Sequence, residues 1–230
     1  MRVLAATDAE TFLTALSGLD PDRDWTVRAA QAAALGTLSA DQAQPRLMAM
    51  VRDPDQRVVP SVLNALVRLK ASGAEQVLLA HLTAEDFVVR AAAATGLGEL
   101  KASSAVSALT EAFKTAQRDN TYVARAAAMA ALAKLGADAA RPVLQEALQD
   151  RDWAIRMRAA TLMAEIGVTE TATDAIRPAP AERSLTATDW AFVTAPKFSP
   201  HAYIETDRGT IELELAVLDA PMTVASFIDL

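Results

Sequence analysis

The sequence predicts an all-α array of about five helical hairpins over most of its length, followed by a partial β segment made of one hairpin and one more helix. Three observations predict it. The chain of 230 residues is 52% hydrophobic but only 5% aromatic, and its apolar share comes mainly from Ala and Leu, which favour helices packed closely through small side chains. One pattern recurs along residues 8 to 167, its leading apolar position falling at Val27, Val58, Val89, Ala124 and Ile155, with spacings of 31, 31, 35 and 31. Repetition at that period marks a solenoid of stacked units. After residue 167 the pattern stops, and apolar residues begin to alternate with a period of two.

Each unit ends in a second helix whose apolar positions fall at i, i+8 and i+11 with Ala between them. In order these helices run from Asp24 to Leu38, Asp55 to Leu69, Asp86 to Leu100, Thr121 to Leu135 and Asp152 to Ile166. An Asp three residues before the first apolar position recurs at Asp24, Asp55, Asp86 and Asp152, and each is expected to cap its helix by accepting first-turn amide bonds. First helices precede them, anchored by Leu47 and Val51, Leu78 and Leu82, Leu109 and Phe113, and Leu144 and Leu148. Pro45 and Pro142 are expected near the starts of their helices, and Pro60 is expected to fall inside a second helix and kink it. Four extra residues before Asp119 predict a longer first helix in the fourth unit, through Thr115 to Arg118. Tight polar turns join the two helices of a unit, as at Asp20 to Asp24, Asp53 to Asp55 and Asp150 to Asp152.

Arginine also recurs, at Arg28, Arg90, Arg125 and Arg156, with acids at Asp22, Asp53, Asp119 and Asp150. These are expected to be structural braces, each guanidinium bridging the turn of its own or the next unit. In the second unit Val59 stands where the others have Arg. Trp25 and Trp153, each just after a cap, are expected to be surface staples, and His81 a surface residue.

Charge and composition narrow the function classes. Residues 1–167 carry a net charge of −1 and residues 168–230 a net of −6, so neither part has the basic excess that nucleic acid or an anionic membrane requires. No window of about 18 apolar residues predicts a membrane span, and the opening Met1 to Ala6 is too short for a signal peptide. The reading is a soluble chain, cytoplasmic or periplasmic. With no Cys and only His81 and His201, there is no thiolate nucleophile and no imidazole-rich metal centre. The carboxylates sit in turns at repeat spacing, so no residue is expected to be catalytic, cofactor-binding or metal-binding, and no cofactor is expected.

The repeated Pro-x-Leu-x-x-x-Leu-x-Asp of the first helix and Val-Arg-x-x-Ala-x-x-x-Leu-Gly of the second resemble the HEAT repeat in its short bacterial form. The resemblance covers residues 8 to 167. It implies a superhelix of antiparallel helix pairs whose second helices line a concave face used to bind a protein or peptide.

Residues 168–200 read as a linker from their Pro, Thr and Ala content, as in Arg177 to Arg183. Ala202 to Thr206, a turn at Asp207-Arg208-Gly209 and Ile211 to Leu215 then predict a β-hairpin with one buried face. Asp219 and Pro221 open a helix. Thr206, Gly209, Thr210, Ile211, Leu213 and Leu215, followed by Asp219, Ala220, Pro221, Thr223, Val224 and Phe227, resemble the opening of a cyclophilin-type peptidyl-prolyl isomerase. Ala216 and Met222 depart from it, where an aromatic residue and Lys are common. The resemblance implies that 201–230 is the start of a truncated barrel, that the catalytic Phe-His-Arg and Gln-Gly-Gly segments of that family lie beyond Leu230, and that the parent protein is a bacterial foldase. A non-enzymatic scaffold with an inactive barrel or binding module is the alternative.

Overall fold

The computed structural model describes residues 1–168, 176–177, 190–191, 194–195 and 198–228. They form two compact units, residues 1–178 and 179–230. Most of the 168–200 stretch read as a linker lies outside the described residues.

Among the described residues of the first unit the regular structure is helical: α1 (Arg2–Thr7), α2 (Ala9–Ser17), α3 (Trp25–Leu35), α4 (Ala40–Met50), α5 (Val59–Arg68), α6 (Ala74–His81), α7 (Phe87–Glu99), α8 (Val106–Thr115), α9 (Val123–Leu135), α10 (Ala137–Ala147) and α11 (Trp153–Glu165). The consecutive pairs α2–α3, α4–α5, α6–α7, α8–α9 and α10–α11 are the five hairpins; in the last four the two helices pack directly on one another, while α1 lies against both α2 and α3. Each second helix touches the next, so α3, α5, α7, α9 and α11 form a continuous spine.

Glycine allows this close approach. A Cβ on Gly36, which caps the end of α3, would lie 2.9 Å from the Cβ of Ala65 in α5, and one on Gly98 of α7 would lie 2.8 Å from the Cα of Ala131 in α9. Between α5 and α7 the same device is inverted, with Gly96 receiving the side chain of Val67. A larger side chain at Gly36 or Gly98 would push two spine helices apart, while one at Gly96 would displace the side chains of Val67 and of Leu78 in α6.

The core falls into two clusters that meet at α5. Val62, Ala65 and Leu66, with Val58 just before the helix, pack with Phe12, Ala32, Leu35 and Leu47 of the first two hairpins. Val59, Leu63 and Val67, on another stripe of α5, pack with Leu78, Val89 and Leu97, and this second cluster continues through Phe113, Met129 and Leu144 to Ile155 and Met163. Ile176 joins its rim as a partly buried residue, and the Arg177 amide donates to the Leu148 carbonyl at 3.0 Å, so chain beyond α11 returns to the last hairpin.

Helix starts follow the capping expectation at Asp24, whose carboxylate accepts from the Thr26 amide, and at Asp86, which accepts from Val88 and Val89. Asp152 occupies its cap position without a side-chain cap bond. Asp55 does not cap, because α5 starts at Val59 after a tight turn. This late start corrects the expected kink at Pro60: the proline sits in the first turn, where its missing N–H has no helical bond to lose. Pro45 and Pro142 shift the other way. Each lies inside its helix, five residues after Ala40 and Ala137, and leaves the carbonyl of Asp41 or Asp138 without its helical donor. In the fourth hairpin the extra residues extend α8 as a 3₁₀ turn, Ala116–Arg118, whose Ala116 is buried.

Helix ends carry a repeated device. Lys70 and Lys101, 31 residues apart, adopt φ of 47° and 52°. The amides of Ala71 and Ala102 then donate back to Leu66 and Leu97, closing the last turns of α5 and α7. Gly167, with φ of 77°, does the same after α11, where the Val168 amide reaches Met163.

The second unit contains β1 (His201–Thr206), β2 (Gly209–Glu214) and α12 (Pro221–Ile228). The strands pair antiparallel across a two-residue turn in the register that places Ala202 opposite Leu213 and Ile204 opposite Ile211, so the expected apolar face forms. It is not buried: Ile204, Ile211 and Leu213 are all exposed, because the sheet has two strands and no described layer covers it. Val217 and Val224 are buried.

Candidate functional site

The repeated arginines and aspartates form a row of braces across the turns of the array. Arg28 grips Asp53 of the next hairpin with two bonds, Nε to Oδ2 at 2.7 Å and Nη2 to Oδ1 at 2.9 Å, and its Nη1 donates to the carbonyls of Asp22 and Arg23 in its own turn. Arg90 repeats this. Its Nη2 donates to both oxygens of Asp119, at 2.7 and 2.6 Å, and its Nη1 to the carbonyls of Ala84 and Glu85, both at 2.7 Å. Arg125, fully buried, reaches Asp150 and Asp152 and donates to the carbonyls of Ala116 and Thr121. Its Nε lies 3.1 Å from Asp150 Oδ2 but is not aimed at it, so that contact is one of charge and not a hydrogen bond.

These braces match the structural role read from the sequence. Arg156 departs in part: it is buried, donates to the Asp150 carbonyl of its own turn at 2.9 Å and lies 5.1 Å from the ring centre of Trp153. Trp153 is exposed, whereas Trp25 is half-buried beneath the Arg57 guanidinium, 4.5 Å from its ring centre. His81 is half-buried, its Nδ1 2.7 Å from the Val77 carbonyl.

At the second hairpin the brace is absent, and both halves are missing together. Val59 replaces the arginine, and Ala84, 31 residues after Asp53, replaces the aspartate. Val59 is buried and Ala84 packs at the rim of its cluster, so both positions belong to apolar packing where the other junctions hold an ion pair.

The ion pairs set the charge state of the turns. The Arg28 hydrogen bond holds the Asp53 carboxyl below its usual range, and the Arg57 guanidinium lowers that of Asp55 to about 2. The amide and hydroxyl of Thr26 lower that of the cap Asp24. None of these groups is poised to exchange a proton near neutrality. Among the described residues, no group of three or more His, Asp or Glu side chains is arranged to hold a metal ion.

What the array offers instead is surface. A groove of about 780 Å³ opens between α2 and α4, with Leu35 and Gln31 of α3 in its floor and Leu16, Leu19, Ala49 and Met50 on its sides. Arg23, Arg46 and Arg52 also line it and make no ion pair among the described residues. A second groove, of about 540 Å³, lies between α4 and α6 beside Met48, Val77 and Ala80, and shares Ala49 and Arg52 with the first. Sequence reasoning did not single out these arginines. They fall outside the repeat pattern, with Pro54, Val77 and Thr83 at the corresponding positions 31 residues on, so the periodicity that exposes the braces is silent about them.

No curated protein sequence matches the chain. The family described as HEAT repeats matches residues 12–94, 62–121 and 113–184 in overlapping segments, which together take in the repeated hairpins and none of residues 201–228. On the recurring helix pairs and on that match, the chain belongs to the HEAT-repeat family.

Proposed function

We propose that residues 8–167 are a protein-binding scaffold, holding a protein or peptide client on a concave face lined by the second helices, within a bacterial cyclophilin-type peptidyl-prolyl isomerase whose barrel opens with residues 201–230. HEAT repeats commonly mediate contacts between proteins, and among the described residues no helix is long and apolar enough to cross a membrane. The observation that carries the scaffold reading is the stacking of the hairpins: successive second helices pack on one another and the interior arginines are taken up in braces across the turns, which leaves the outer faces and grooves of the array for contacts. Contact between successive second helices, with grooves between first helices, supports the second-helix side as the inner one.

The isomerase half rests on the residues from Thr206 to Phe227 that resemble a cyclophilin opening. The exposed apolar face of Ile204, Ile211 and Leu213 supports it, since further strands and a covering layer would bury that face. The family match ends before the hairpin, which favours a second reading: a non-enzymatic scaffold whose β segment belongs to an inactive barrel or another binding module. The reading frame beyond residue 230 separates the two. If it encodes Phe-His-Arg and Gln-Gly-Gly segments, the extended protein will accelerate X-Pro isomerisation in a protease-coupled peptide assay, a step otherwise slow enough to limit folding. The 230-residue chain alone will show only the background rate. Catalysis by the 230-residue chain would overturn the assignment of chemistry to downstream residues, and an inactive extended protein would leave the scaffold reading alone.

A further inference from the structure

We propose that the groove between α2 and α4 is a second docking surface, distinct from the spine face, and that its partner is an acidic amphipathic peptide segment with one or two large apolar side chains. Charge complementarity chooses the occupant. Four arginines, Arg23, Arg28, Arg46 and Arg52, line the groove against Asp20 and Asp53, a local excess of two positive charges on a chain whose net charge is −7. Arg28 and Asp53 neutralise one another, so the excess resides on Arg23, Arg46 and Arg52 at the rim. Guanidinium groups present planar donor forks that match carboxylates, and a rim of them around an apolar floor selects a ligand that is acidic at its edges and apolar at its centre.

The interior fits that centre. Leu16, Leu35 and Met50 surround a space large enough for a Leu or Phe side chain, and Leu19 is 65% exposed beside it. The second groove shares Ala49 and Arg52 with the first, so the two adjoin at α4, and Met48, Val77 and Ala80 give the second an apolar lining. The grooves flank α4 and so lie one helix-packing distance apart, roughly 8–10 Å, which a helical segment with apolar residues at i and i+7 would span, setting one side chain in each groove and carrying its acids to the arginines. Nucleic acid fits poorly, because the floor is apolar and the free cations are few.

The test uses the whole chain and two fluorescein-labelled synthetic helices, one with Leu and Phe at i and i+7 among glutamates, the other identical but with lysines for the glutamates. Fluorescence polarisation should show the glutamate peptide binding at least about tenfold more tightly than the lysine peptide, with affinity falling as salt is raised. Arg46→Glu/Arg52→Glu should weaken binding by at least about tenfold, while Arg141→Glu, an exposed change on α10, should leave it unaltered. Hydrogen exchange of the wild-type complex should show new protection in residues 16–23 and 46–53, which locates the peptide without relying on any variant's folding. No binding, equal binding of the two peptides, equal loss in the Arg141→Glu chain, protection confined to the second helices, or displacement by a single-stranded oligonucleotide would each overturn the proposal.

Discussion

Removing Asp119 should damage the array more than removing Asp119 and Arg90 together. The structure sets the magnitude. The Arg90 side chain is 10% exposed and its Nη2 has Asp119 as its carboxylate partner, while its Nε already lacks a hydrogen bond. Asp119→Ala therefore leaves a nearly buried guanidinium held by the two carbonyls of Ala84 and Glu85 alone. Breaking a fully buried ion pair costs about 3–5 kcal/mol, and a lost hydrogen bond to a charged group about 1.5–3. Partial access of water places this case between them, at about 2–4 kcal/mol. The double change Arg90→Val/Asp119→Ala recreates the Val59 and Ala84 junction and removes both charges, so it should cost only about 1 kcal/mol. Urea denaturation of the wild type, both single variants and the double variant, followed by helical circular dichroism, gives the coupling energy. A double variant as unstable as the sum of the singles, or an Asp119→Ala cost below about 0.5 kcal/mol, would refute the reasoning.

Gly98→Ala should destabilise the chain by about 1–3 kcal/mol, because the new Cβ would lie 2.8 Å from the Ala131 backbone; thermal unfolding measures it, and an unchanged midpoint would show that α7 and α9 can part freely. Lys101→Gly should stabilise by about 0.5–1 kcal/mol, since Lys101 is exposed and held at φ of 52°, where glycine bears no Cβ strain; a loss of stability in urea would contradict this. Asp53 and Asp55 both have folded-state pKa values below the ordinary 3.8, that of Asp55 at about 2, so the support they give is present above 3.8 and falls away below it, the share of Asp55 being lost as pH drops through about 2. In a chain with Trp153 and Trp190 replaced by Phe, Trp25 fluorescence should report loosening of the first two hairpins over that range, and Asp55→Asn should flatten the transition.

The array was legible because it says the same thing five times. Val27, Val58, Val89, Ala124 and Ile155 fix the register, and four of them are buried while Val27 is half-buried, in keeping with its place in the first repeat. Periodicity also identified the braces as structural. It failed where a local rule overrides the repeat. Pro60 admits only a helix that starts after Asp55's turn, so an aspartate in cap register does not cap. Pro45 and Pro142 look like helix starts by propensity, yet Ala40 and Ala137 begin the helices earlier, since packing of Leu47 and Leu144 outweighs a single lost bond. The hairpin register followed from alternation, but burial of its face depends on layers that alternation cannot supply. The α2–α4 groove was invisible because Arg46, Arg52 and Leu19 meet only through the angle between two hairpins.

The missing brace between the second and third hairpins gives the array a grammar for rearrangement. Each junction has a donor end and an acceptor end: Arg28 with Asp53, Val59 with Ala84, Arg90 with Asp119, and Arg125 with Asp150. Excising the second hairpin would set Arg28 against Ala84, and excising the third would set Val59 against Asp119, each stranding one charge at a closed seam. Excising the fourth would join Arg90 to Asp150, and excising the second and third together would join Arg28 to Asp119, both compatible ends. Duplication and loss of hairpins in such a gene are thereby channelled: some cuts heal into a working seam at once, while others need a compensating substitution before the shortened array can fold.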